Sequence, residues 1–131
     1  MNINLVHVFS ECVNDGKFTI ESIVVQTTSG VNIYLGGGEE PHIGSVAISI
    51  PRKSLTGDGT ISCSTSVFNL ISHKDDALAV PLAEEVSKQL NKVVVVSAGV
   101  HIEEITAEGI IRIKKNLDIM KNLILKQLKV K

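Results

Sequence analysis

Apolar and polar side chains alternate through most of the first seventy residues, the period of strands with one buried face. Ile3, Leu5 and, later, Val8 are apolar with Asn4 and His7 polar among them, which predicts a first strand over residues 3–12. The Asn14-Asp15-Gly16 turn signal then introduces the run from Phe18 to Val25, read as the antiparallel partner of a hairpin. After Thr28-Ser29-Gly30, Val31, Ile33 and Leu35 alternate with Asn32 and Tyr34 until three glycines, Gly36 to Gly38, are expected to stop the strand. Alternation resumes at 45–50, with Val46, Ile48 and Ile50 on one face and Ser45, Ala47 and Ser49 on the other. This segment reads as a hairpin return that ends at Pro51, Arg52 and Lys53. A turn-rich connection leads to a fifth strand over 60–70, whose Ser64, Thr65 and Ser66 suit either a polar cleft or an ordinary wet face.

The period changes after residue 74. Leu78, Leu82, Val86 and Leu90 recur every four residues, and Asp75 and Asp76 suit the positive end of a helix dipole. Pro81 is read as a bend within a helix begun near Asp75. Four consecutive valines, Val93 to Val96, then predict a central strand covered on both faces. Thr106 can cap a last, long amphipathic helix, with Ile110, Ile113, Leu117, Met120, Ile124 and Leu128 along its apolar stripe. Arg112, Lys114, Lys115, Lys121, Lys126, Lys129 and Lys131 mark a solvated basic face. Ile111, Ile119 and Leu123 widen the stripe enough to suggest a partner subunit. Five strands, helix, strand and helix make an α+β fold, a mainly antiparallel sheet of about six strands with two helices, in one domain over 1–131.

Composition narrows the functional classes. With no Trp, one Tyr and three Phe among 131 residues, the core must be built from Val, Ile and Leu. Thirteen basic against fourteen acidic side chains argue against a nucleic-acid partner. No apolar run has the length of a membrane span or the form of a signal peptide, so the expectation is a cytoplasmic protein with no membrane partner. Cys12 and Cys63 form no C-x-x-C pair and read as buried or half-buried thiols.

Chemistry concentrates in three places. Gly36 to Gly44 joins backbone amides open to approach with Pro41 and His42, which suits either a glycine-rich hairpin loop or the cradle of an anion or flat ring. His73-Lys74-Asp75-Asp76 and Ser97-Ala98-Gly99-Val100-His101 each put a histidine where an apolar element ends. If His42, His73 and His101 converge they would suit zinc and water, although no H-E-x-x-H spacing is present. No G-x-S-x-G elbow is found, and the glycine loop leads into a strand where a dinucleotide site requires a helix. Binding therefore fits better than catalysis: amides and Lys74 for a phosphate, imidazoles and hydroxyls for polar ring edges, aliphatic walls for an apolar body.

Taken together, Gly38-Glu39-Glu40-Pro41-His42-Ile43-Gly44-Ser45-Val46, Ser64-Thr65-Ser66-Val67-Phe68 with His73-Lys74-Asp75-Asp76, and Val94-Val95-Val96-Ser97-Ala98-Gly99-Val100-His101 resemble the LpdD-like prenylated-flavin chaperones, small D subunits found with UbiD-type aromatic acid decarboxylases. The resemblance implies a dimeric α+β fold similar to proteasome assembly chaperones. It also implies a non-catalytic accessory subunit that binds reduced prenylated FMN and delivers this flavin nucleotide to an apo-decarboxylase. Carried over by position, the cofactor-binding candidates are Gly38, Pro41, His42, Gly44, Ser66, His73, Lys74, Gly99 and His101. Lys74 and the loop amides fall to the phosphate, His42 and His101 to the flavin edge or a partner carboxylate. A ligand-free assembly chaperone and a small metal-dependent enzyme are the competing readings.

Overall fold

The computed structural model describes residues 5–70 and 75–128. Strands β1 (His7–Val13), β2 (Ile20–Gln26), β3 (Gly30–Gly38), β4 (Ser45–Lys53), β5 (Ile61–Asn69) and β6 (Val93–His101) form one sheet in the order β1-β2-β3-β6-β4-β5. Helices α1 (Asp76–Leu90) and α2 (Ala107–Gln127) pack on one face of it. The α+β class stands. The start expected for the first strand at residues 3 and 4 lies outside the described residues.

Two expectations about connection are corrected. The glycines do not stop β3: Gly36 and Gly37 pair with Glu21 and Ile20 on one side and with Gly99 and Val100 on the other. Backbone hydrogen bonds on both flanks carry the strand on, and Gly37 fits because a Cβ there would strike the Thr19 carbonyl. Nor is β4 the hairpin return of β3. Instead β6 lies between them, parallel to β3 and antiparallel to β4, so residues 39–44 must cross the end of β6. That crossing builds the site described below. Also, β4 runs on through Pro51 and Arg52 to Lys53, paired with β5.

The core lies between sheet and helices. Ile20, Val24, Ile33, Leu35, Val94 and Val96 are closed off from solvent against Leu82, Val86, Met120 and Ile124. Burying each such side chain contributes about 1.5–3 kcal/mol. Small residues on the helix-facing side of β4, Ser45, Ala47 and Ser49, leave room for α1, whose Ser87 hydroxyl donates to the Lys92 carbonyl at 2.8 Å. Helix α1 begins next to Asp75 and runs on through Pro81, and Asn91 closes it in the left-handed conformation with φ 54°. Thr106 caps α2 by accepting the Gly109 amide at 3.0 Å. Farther along α2, Arg112 donates two 2.7 Å hydrogen bonds to Asp15 and Asn116 adds a third at 2.9 Å, pinning the β1–β2 turn to the helix.

Cover on both faces of β6 is not found in the single chain. Val94 and Val96 are buried, but Val93 and Val95 are half-buried, because both helices lie on one side. Cys12 is exposed rather than buried, being on the edge strand β1. Among the described residues, no helix is long and apolar enough to cross a membrane.

Candidate functional site

At the carboxyl ends of the parallel strands β3 and β6 the sheet opens into a cavity of about 380 Å³. Such strand ends are where open sheets with parallel pairs commonly leave room for ligands. One wall is polar and comprises His42, Asp75 and His101; the other is aliphatic and includes Ile102, Ile105, Ile110 and Ile113. Lys114 of α2 adds a cation, and Ala77, Leu78 and Val100 complete the lining.

The crossing segment positions His42. Glu39 donates its amide to the His101 carbonyl at 2.7 Å, His42 to Gly99 at 3.3 Å and Gly44 to Ala98 at 2.8 Å, so the segment is stitched along the end of β6. Gly99 is required there, since a Cβ would collide with the His42 carbonyl. Gly38, at φ +72°, lies against the His101 carbonyl and makes the turn out of β3. From the far side of the sheet Tyr34 donates its hydroxyl to the His42 carbonyl at 2.9 Å. Partial burial, with Asp75 adding to it, pushes the Tyr34 phenol above its ordinary pKa, so it stays a donor.

The polar wall is organised by a carboxylate. Asp75 is 6% exposed; one oxygen accepts the Val100 amide at 2.9 Å and the other faces His42 Nε2 at 3.3 Å. His42 Nδ1 lies 3.1 Å from the Glu40 carbonyl, so the ring has an oxygen beside each of its nitrogens. The His101 ring stands edge-on to His42 with centroids 6.4 Å apart, and its Nε2 contacts Glu103 at 3.2 Å. Glu39 closes this rim by accepting the Glu103 amide at 2.8 Å.

Two of the three histidines singled out in the sequence thus come together, His42 and His101. His73 and Lys74 lie outside the described residues. Gly38, Gly44 and Gly99 shape the crossing, and Pro41 is an exposed member of it. Ser66 is exposed on β5, on the helix-free side, and is not among the residues lining the cavity. Thr65 instead donates to Glu84 at 2.7 Å beneath α1, and Ser64 accepts from Arg52 at 2.9 Å. Among the described residues no group of three or more His, Cys, Asp or Glu is arranged to hold a metal ion.

Sequence reasoning passed over Asp75, read as a helix-dipole charge, and Lys114, read as part of a solvated face. A signal existed for each. Asp76 already serves the first turn of α1, which leaves Asp75 spare, and Lys114 stands four residues after Ile110 and one after Ile113, beside the apolar stripe.

A family described as the prenylated flavin chaperone LpdD-like domain matches residues 14–129. Among curated proteins, none matches the chain significantly. A chain from the crystal structure of a chaperone complex for yeast 20S proteasome assembly is similar in fold. Its TM-score is 0.56 at 18% identity, over 91% of this chain and 98% of that one.

Proposed function

Because the chain belongs to the LpdD-like prenylated-flavin chaperone family, we propose that it is a non-catalytic carrier, a single-domain homodimer that binds reduced prenylated FMN and hands it to an apo UbiD-type decarboxylase. One observation supports this most directly: a single cavity joins paired imidazoles, a buried carboxylate and a lysine to a wall of isoleucines. At about 380 Å³ it is of the size that holds part of a flavin nucleotide, at the lower end of small-molecule sites.

The residues present fit such a ligand. Ile102, Ile105, Ile110 and Ile113 offer apolar contact to the ring body and prenyl group, while His42 and His101 offer hydrogen bonds to the polar ring edge. Asp75 holds His42 in place without spending its own oxygens on the ligand. Lys114, with Lys74, is assigned to the phosphate; among the described residues Lys114 has no ion pair. Gly38, Pro41, Gly44 and Gly99 act through the shape of the crossing. The flavin, when bound, would bring the chemistry that the decarboxylase uses, and this chain would hold it out of bulk solvent.

Anaerobic titration of the purified protein with reduced prenylated FMN, followed by absorbance, tests the reading. Saturable binding is expected, weakened by His42→Ala, followed by transfer that activates an apo-decarboxylase. No binding by the wild type would overturn it. A protein that binds and assembles the decarboxylase equally well without flavin and with His42 and His101 replaced would favour a ligand-free assembly chaperone.

A further inference from the structure

Both helices cover one face of the sheet and leave the other without a layer, yet that other face is apolar. The valine run of β6 is the clearest sign: it is built for cover on both sides, and only Val94 and Val96 receive it. Strand register extends the bare face across the sheet in two rows. In one, Val8 lies opposite Val25, Val25 opposite Asn32, Asn32 opposite Val95 and Val95 opposite Ile48. In the next, Ile23, Tyr34, Ser97, Val46 and Phe68 follow one another from β2 to β5. Exposure is high for large aliphatic and aromatic groups: 53% for Ile23, 37% for Ile48, 51% for Ile50 and 72% for Phe68. No charged side chain interrupts either row, and Glu21 and Arg52 stand beyond them at opposite ends of the sheet. A contiguous surface of this kind marks an interaction site.

We propose that this face packs against the same face of a second copy, giving a two-sheet sandwich with the helices outside. The proposal rests on the homodimer in the reading above and assigns it a surface. Six strands at a spacing of about 4.8 Å, and roughly 20 Å along the strands, present on the order of 600 Å² per copy. Doubled, that reaches about 1,200 Å², the lower bound of stable specific interfaces. Such sheets pack face to face at about 10 Å with their strands within about 30° of alignment. The occupant must itself be broad and uncharged, which the same face of a second copy is. Anionic lipid or nucleic acid would call for lysines around the patch, but Lys114, Lys115 and Lys126 are on α2, across the sheet. The α2 face that suggested a partner from the sequence is the weaker candidate. Of its exposed members Ile110 lines the cavity, and Ile111 is flanked by Arg112, Lys114 and Lys115.

Sedimentation equilibrium on the full chain without ligand tests the assignment. The wild type is expected to be dimeric at micromolar concentration. Ile48→Asp and Ile23→Asp should each raise the dimer dissociation constant at least about tenfold with an unchanged far-UV circular dichroism spectrum, whereas Ile119→Asp should remain dimeric. Should Ile48→Asp fail to fold, Phe68→Ser, at a more exposed position, gives the same reading. A monomeric wild type overturns both the homodimer and the surface, including where Ile48→Asp then abolishes binding to the decarboxylase instead. A wild-type dimer that survives the sheet substitutions but dissociates with Ile119→Asp overturns the surface alone. Failure of flavin binding leaves this measurement unaffected, so the two readings fail separately.

Discussion

The carboxylate of Asp75 joins two segments: one oxygen lies 3.3 Å from His42 Nε2 and the other accepts the Val100 amide at 2.9 Å. A buried group with two such obligations is costly to remove. Asp75→Ala should destabilise the protein by about 1–3 kcal/mol, since it leaves a backbone amide without its acceptor. Asp75→Asn retains that acceptor and should cost less, while removing the carboxylate charge beside His42 and weakening flavin binding. Urea unfolding and anaerobic titration of the two variants separate the effects.

Gly99 lies directly beneath the His42 carbonyl. A methyl group there forces the crossing segment away from β6 because its neighbour is backbone and cannot rotate aside. Gly99→Ala is therefore expected to cost about 1–3 kcal/mol and to lower ligand affinity together with stability. Thermal unfolding and flavin titration on the same preparation check both. A variant as stable and as tight-binding as the wild type would show that the crossing does not depend on this approach.

Lys114 offers a way to divide the ligand. If its ammonium meets the phosphate, Lys114→Ala should weaken FMN about five- to fiftyfold and leave riboflavin unchanged, the loss of one charge-assisted hydrogen bond. Equal losses for both ligands, measured by fluorescence titration, would place Lys114 against the ring instead.

Arg112 and Asn116 donate hydrogen bonds to Asp15 and hold its carboxyl below the usual carboxylate range; Arg112 is correspondingly raised. The contribution of this contact is complete above the unfolded-state value of about 3.9 and disappears as acid passes down through the lower folded-state value. Stability should accordingly fall on acidification below about pH 4. In Arg112→Gln that acid limb should be shallower and the neutral-pH stability slightly lower. Urea midpoints measured from neutral pH into acid give the comparison, and an unchanged acid limb would count against the contact.

Much of the architecture was legible because local period reports local burial. Alternation located the strands, and the i, i+3, i+4 repeat located α2 with its Thr106 cap. Strand order was not, because β6 enters between β3 and β4 from a distant part of the chain, and nothing near Gly36 or Ser45 encodes that. Of the site, His42 and His101 stood out as histidines at element ends. Asp75 and Lys114 did not, since a helix-start aspartate and a helix-face lysine are ordinary until a cavity is seen beside them.

By itself the sequence determined which segments are strands and helices and that the core is aliphatic, because side-chain spacing and turn chemistry act within a few residues. Only the tertiary structure decided that residues 39–44 cross the end of β6, that His42 meets Asp75, and that one apolar face of the sheet is left without cover. Those outcomes depend on backbone pairing between residues far apart in the chain, whose partners are chosen when the whole sheet closes rather than by any one stretch of it.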